Sequence, residues 1–315
     1  MTPERIKEMA AQAVKTGNPR RGELIYRRQA LACTSCHAIG GVGGKVGPDM
    51  TSLGASAPLD YIVESLFDPN AKIKEGYHSV IIATDEGKLV TGIEVQSDDT
   101  ETIIRTADNK VIRIPDEQID GKKNGKSIMP SGVIDGLKKQ EQLDLISFLG
   151  NLGKPGAFDA SLSGVARRFE AFSGNHRVEQ LGVADVIDGS RVEGWKTVDA
   201  MVNGDLTRDS LSSVAVKSVF TSLVNLYVRV RVNVSTERTA AIDISGPTKI
   251  TAWIDGKPVG VDSNSKKKVH LVSHEFQPGV HILLIRFDVN AIPDAVRFES
   301  KDVSFLADSE LEPTK

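Results

Sequence analysis

Hydrophobic and polar positions repeat with two different periods along this chain. In the second half the period is two. Leu226-Tyr227-Val228-Arg229-Val230-Arg231-Val232-Asn233-Val234 alternates without a break, and Ala241 to Ile244, Ile250 to Ile254, Val280 to Val289 and Val296 to Phe305 repeat the pattern. Alternation puts one face of a segment on a core and the other in water, as in half-buried strands. Asp255-Gly256 stands between two such runs as a hairpin turn. With about eight strands and no helical period, residues 165–315 are predicted to form an all-β sandwich, jelly-roll-like in arrangement.

The first half mixes both periods. A helix is expected within residues 1–18. Asn18-Pro19 then reads as an N-cap followed by proline at the first helical position, predicting a helix from Arg20 to about Gln29 with Gly22, Ile25 and Tyr26 on one face. A helix from Pro58 to about Phe67 ends at Asp68-Pro69. Another starts near Lys138 and carries apolar residues at 145, 148, 149 and 152. Between these helices, Tyr77 to Thr84, Leu89 to Val95, Thr102 to Arg105 and Val111 to Ile114 are short strands separated by turn residues. They predict a small antiparallel meander inserted at about 76–119. Gly153-Lys154-Pro155-Gly156 and Ser161-Leu162-Ser163-Gly164 mark a linker over 153–164. The expected organisation is an N-terminal helix (1–18), a domain over 19–152, the linker and the sandwich.

Composition narrows the classes. A chain of 315 residues suits two domains, and 39 basic residues against 42 acidic ones ask for neither nucleic acid nor an anionic membrane. No apolar run approaches the roughly 20 residues of a spanning helix, so no transmembrane segment is expected. The opening Met-Thr-Pro-Glu-Arg-Ile-Lys lacks the apolar core of a signal peptide.

The two cysteines carry the chemistry. They stand in Cys33-Thr34-Ser35-Cys36-His37, and C-x-x-C-H is the attachment sequence of c-type haem. Two thiols three positions apart can form thioethers with the two vinyl groups of one porphyrin. The adjacent imidazole then reaches the iron. A thioredoxin-like motif would want a preceding strand, and a zinc site a second ligand pair; neither is present. Glycines at 40, 41, 43, 44 and 47 follow the pentad, where backbone must pass close to a flat ligand.

Gly22-Glu23-Leu24-Ile25-Tyr26, the pentad, Gly47-Pro48-Asp49 with Thr51, the Pro69 region, Gly76-Tyr77, Gly92, Ser127-Ile128-Met129-Pro130-Ser131-Gly132 and Asp144-Leu145-Ile146-Ser147-Phe148-Leu149 occur in one order. In these, residues 20–152 resemble the cytochrome c-type haem-binding domain family, the C-terminal module of large bacterial membrane-bound dehydrogenase-like proteins. The resemblance implies a mostly α cytochrome c fold interrupted by the β meander. It also implies one covalent haem c, with its iron, per chain, held by Cys33, Cys36, His37, Pro48 and Met129. Position 50 departs from the family, with Met where Leu is usual. Among the methionines, Met129 is the expected sixth ligand, because it lies in a loop stiffened by Pro130 before the last helix. Met50 is expected to pack. His78 is the rival ligand, while His176, His270, His274 and His281 are expected to be structural or exposed.

The function expected from this is single-haem electron transfer, His37/Met129 ligated, between a dehydrogenase-type donor and a downstream acceptor, by a metal-binding carrier rather than an enzyme. Haem c assembly requires export, so the expected location is the periplasm, with the leader missing from a trimmed or partial chain. Arg20, Arg21, Arg27 and Arg28 before the pentad, and Lys122, Lys123 and Lys126 before Met129, either form solvated surfaces or a positive rim for an acidic redox partner. One alternative is a haem enzyme or gas sensor with an open distal site. Another is a carbohydrate-binding sandwich carrying a redox relay. For the latter, Thr251 to Lys257 and Pro278 to Arg286 are similar to galactose-binding jelly-roll modules. Trp195, Tyr227 and Trp253 would stack on a sugar or fill the core.

Overall fold

The computed structural model describes residues 1–175, 178–181, 183–188, 194–215, 223–264 and 266–307. The chain divides into two compact units, Met1–Ser161 and Leu162–Lys315.

In the first unit α1 (Pro3–Thr16) buries Ile6, Met9 and Ala13. The helix α2 (Pro19–Tyr26) starts where Asn18 accepts the amide of Arg21 at 3.1 Å. Single turns α3 (Cys33–Cys36) and α4 (Leu53–Ser56) precede α5 (Leu59–Phe67). Five strands follow: β1 (Ser79–Thr84), β2 (Leu89–Ser97), β3 (Glu101–Arg105), β4 (Val111–Pro115) and β5 (Ile119–Asn124). They form one antiparallel sheet in the order β4-β3-β2-β1-β5, packed through Val80, Ile82, Ile104 and Ile114. The helix α6 (Lys139–Leu149) closes the unit and crosses α2. Gly22 permits that crossing: a Cβ there would lie 2.0 Å from the carbonyl oxygen of Asp144. Asp144 is buried and fixes the angle, accepting from the Asn18 amide (2.7 Å), Arg21 Nε (2.7 Å) and Gln140 Nε2 (2.9 Å).

The second unit contains β6 (Arg168–Asn175), α7 (Val183–Asp188), β7 (Lys196–Asp199), β8 (Leu206–Thr207), α8 (Arg208–Val214), β9 (Leu223–Val234), β10 (Arg238–Ser245), β11 (Thr251–Ile254) and β12 (Lys257–Val259). It continues with β13 (Asp262–Asn264), β14 (Val269–Phe276), β15 (Gly279–Asp288), β16 (Ala295–Glu299) and β17 (Ser304–Phe305). One sheet runs β13-β14-β10-β16-β8, the other β12-β11-β15-β9-β6-β7 with β17 on β9. Their facing side chains, among them Phe169, Val228, Ile242, Val272, Ile285 and Phe298, form one core. Asp255 (φ 48°) and Gly256 (φ 77°) make the β11–β12 turn, both left-handed, which suits a two-residue hairpin with native twist.

These features correct three expectations. The expected mostly α cytochrome c fold is not found: among the described residues strand outweighs helix, and the strands pair into three antiparallel sheets. The helices of the first unit are short, two of them single turns, and its sheet has five strands rather than four. The added strand, β5, reads Ile-Asp-Gly-Lys-Lys-Asn and has no alternation. It pairs with β1, Val80 opposite Asn124 and Ile82 opposite Lys122, and of its side chains Ile119 packs against the sheet's apolar cluster. Lys122 and Lys123 therefore lie in a strand. The second unit is a two-sheet arrangement as the alternation suggests, but it also contains α7 and α8, too short to impose a visible helical period.

Candidate functional site

The pentad forms its own turn. Ala32 takes φ 53°, and the amide of His37 donates to the Cys33 carbonyl at 2.9 Å. One helical turn sets Cys33 and Cys36 side by side with His37 next along the chain. Both thiols are half-buried and free. Burial pushes the Cys33 thiol up to about 11 and raises Cys36 as well, so both stand protonated at neutral pH.

The glycine loop folds back over this turn. The Gly44 amide reaches the Thr34 carbonyl (2.9 Å), the Gly47 amide the Cys36 carbonyl (2.8 Å), and the Met50 amide the Ala38 carbonyl (2.8 Å). Gly47 lies flat on the His37 ring; a Cβ there would sit 2.4 Å from Cε1. His37 Nδ1 is 2.8 Å from the Pro48 carbonyl. A carbonyl only accepts, so Nδ1 carries the hydrogen and the lone pair of the neutral ring is on Nε2. Burial lowers the basicity of His37, more than the Pro48 bond and Asp49 restore it, which keeps the ring neutral. Behind it the buried Tyr26 hydroxyl donates to the His37 carbonyl at 3.1 Å, its ring 5.5 Å from that of Phe148.

Met129 is half-buried in the loop before α6, its amide donating to Ser127 Oγ at 3.2 Å. Met50 is also half-buried, and His78 is exposed just before β1. Among the described residues no group of three or more His, Cys, Asp and Glu side chains could hold a metal ion. That finding corrects the expected metal-binding haem site as something assembled by side chains of this chain: Cys33, Cys36 and His37 are strung along one turn and do not converge on a point.

The expected basic cluster is largely paired. Arg21 is bound to Asp144 (2.7 Å), Arg27 to Glu23 (2.9 Å), Arg28 to Glu141 (2.7 Å) and Lys122 to Glu94. Arg20, Lys123 and Lys126 are exposed. In the second unit Tyr227 and Trp253 are buried. Trp195 is half-buried, covered by the Arg229 guanidinium at 4.2 Å, and donates Nε1 to the Val186 carbonyl at 3.1 Å. Tyr227 and Trp253 are thus core residues, and the Trp195 ring is faced by Arg229. His270 is fully buried between Ser263 Oγ (2.8 Å) and the Pro247 carbonyl (2.9 Å). His281 lies between Asp255 Oδ2 (2.7 Å) and the Gln277 carbonyl (2.8 Å). His274 stacks edge-on against Phe276, and His176 lies outside the described residues. No helix among the described residues is long and apolar enough to cross a membrane.

Residues that the sequence did not single out also shape the site. Ser79 and Asn70 hold the Met129 loop. Neither belongs to a recurring spacing; each acts through a hydrogen bond to backbone far along the chain.

No family model matches the chain, and no curated protein does. Among solved structures it is similar to a Faecalibacterium prausnitzii beta-glucuronidase at 12% identity, covering 40% of this chain and 20% of that one, with a TM-score of 0.25. It is also similar to an anti-sigma factor domain-containing protein from Clostridium clariflavum, at 12% identity, 45% and 44% coverage and a TM-score of 0.25. Another anti-sigma factor domain-containing protein reaches 73% and 76% coverage at 12% identity, with a TM-score of 0.26. The chain thus spans a fifth of the length of the first and under half of the second. Likenesses this slight carry no argument about fold or function.

Proposed function

We propose that residues 33–37 are a covalent haem attachment site and that the protein is a single-haem electron carrier. Cys33 and Cys36 would form the thioethers, and His37 Nε2 and the Met129 sulfur would hold the iron. One observation carries the proposal: His37 Nδ1–H is committed to the Pro48 carbonyl, with Gly47 leaving room against the ring, beside two free thiols on one turn. An axial histidine normally donates its second nitrogen to a carbonyl or carboxylate, which fixes the tautomer and raises ligand basicity. A porphyrin would supply most of the metal's ligands itself, so such a site would ask the chain for two thiols, an imidazole and a thioether rather than a cluster of carboxylates, thiols and imidazoles.

When bound, the group would supply one-electron exchange between ferric and ferrous iron. The residues of this chain do the rest. Pro48 and Gly47 orient the imidazole, Tyr26 anchors the backbone that carries it, and the burial of Tyr26 and Phe148 keeps water from that side. Thioether formation follows export, which makes the periplasm the proposed location, and a redox partner protein is the proposed source and sink of electrons.

The test is chemical. Protein matured with haem should keep it through acid–organic extraction, and Cys33→Ala/Cys36→Ala should release it. Haem lost from the wild type on extraction would overturn the proposal. Carbon monoxide binding to the reduced wild type at stoichiometric levels would favour an open distal site over a carrier.

A further inference from the structure

The sheet of the first unit lies in sequence between the segments that carry His37 and Met129, and its first residue reaches the second of them. Ser79, which opens β1, is 2% exposed. Its carbonyl accepts the amide of Gly125 at 2.7 Å, and its hydroxyl donates to the carbonyl of Lys126 at 2.5 Å. One residue further, the Ser127 amide donates to Asn70 Oδ1 at 3.0 Å, from the segment after α5. The Ser127 hydroxyl in turn accepts the amide of Met129 at 3.2 Å. Residues 125–129 have no regular secondary structure of their own. Their backbone is held at successive positions by a buried strand residue on one side and by an asparagine side chain on the other.

We propose that Ser79 and Asn70 are positioning residues for the Met129 sulfur, and that the inserted sheet is the bracket that sets where this loop stands. The inference rests on the proposed ligation by Met129. A thioether is a neutral ligand whose grip depends on the loop being held in place, because fixing a free backbone costs conformational entropy that a weak bond recovers poorly. The insertion supplies that fixing in advance. Ser79 does so from inside a strand paired on both sides, to β2 and β5.

The test uses the full chain matured with haem and four proteins: wild type, Ser79→Ala, Asn70→Leu and Asn70→Asp. The last keeps the Oδ1 acceptor. In the wild type the ferric near-infrared sulfur-to-iron band is present and carbon monoxide binding to ferrous protein is slight. Ser79→Ala and Asn70→Leu should keep haem through extraction, weaken the band and raise the carbon monoxide-binding fraction about tenfold, as expected for one lost hydrogen bond. Asn70→Asp should match the wild type. Amides 125–129 should exchange with solvent faster in Ser79→Ala, while those of β2 and β3 keep their rates. An unchanged band and unchanged exchange in both Ser79→Ala and Asn70→Leu overturn the bracket and leave the haem proposal standing. A wild type that holds haem covalently but lacks the band overturns Met129 ligation and this inference with it. Haem lost on extraction overturns the haem proposal itself.

Discussion

Pro48 has no amide hydrogen, so its one polar backbone group is its carbonyl, and His37 Nδ1 takes it at 2.8 Å. The neighbouring glycine matters as much. Gly47→Ala would put a methyl 2.4 Å from His37 Cε1, against a ring that is pinned by Pro48 and cannot swing aside freely. We expect Gly47→Ala to fold, since the loop keeps its other backbone bonds, but to take up covalent haem in much lower yield, measured by the haem-to-protein absorbance ratio; full yield would show that the ring tolerates displacement. His281 gives a different residue-scale outcome. Both its ring nitrogens face acceptors, Asp255 Oδ2 and the Gln277 carbonyl, so the arrangement needs the doubly protonated ring. Burial alone would lower its basicity, but the bonds to Asp255 and Gln277 outweigh that and raise it. A raised folded-state value means the stabilisation is complete below the unfolded value, about 6.5, and is lost as pH rises through the folded one. The melting temperature should therefore fall as pH goes from about 6 to about 8, and Asp255→Asn should flatten that fall; an equal slope in both proteins would remove His281 from the account.

Between elements, the crossing of α2 on α6 joins the segment before the pentad to the end of the first unit. It depends on an absent side chain and a buried charge. Gly22→Val would drive a branched side chain into the Asp144 carbonyl, and overpacking of this kind costs about 1–3 kcal/mol. Asp144→Ala would strand the Asn18 amide and loosen Arg21, at about 1–3 kcal/mol, since the guanidinium can turn to water. Urea unfolding should show both losses, and a loss below about 0.5 kcal/mol for either would mean the crossing is held elsewhere. The helices at this crossing were legible in sequence because capping and apolar spacing are local signals: Asn18-Pro19 starts α2, and Leu145, Phe148 and Leu149 line the buried side of α6. The strand β5 was not legible. Its six residues are almost all exposed and its only regularity is backbone pairing to β1, which needs the partner strand in place.

Across the whole molecule, pairing decides which charges can act at a distance. Arg21, Arg27, Arg28 and Lys122 are engaged with carboxylates of the same unit, which leaves Arg20, Lys123 and Lys126 as exposed cations of the expected rim that make no ion pair among the described residues. If an acidic partner reduces the proposed carrier, charge reversal at these three should slow reduction at low ionic strength. The difference should vanish at about 0.5 M salt, where screening shortens the Debye length to a few ångströms. A rate indifferent to both substitution and salt would assign the three to solvation alone. The aromatic residues of the second unit show the same dependence on surroundings. Trp253 and Tyr227 offer in sequence both a sugar platform and, as the favoured reading, core, and in the assembled sheets they are buried.

The sequence by itself determined what is local. The pentad turn, the caps of α2, the alternation of β9 and β15 and the Asp255-Gly256 hairpin follow from residues within a few positions of one another. Steric and hydrogen-bonding preferences at that range do not wait for the rest of the chain. Tertiary structure decided what depends on distant partners. It added β5 to the sheet of the first unit and set the strand order of the two sheets of the second. It gave His37 its tautomer through a carbonyl that only the returning glycine loop brings near. It also tied the Met129 loop to Ser79 and Asn70, whose single hydrogen bonds leave no pattern along the chain.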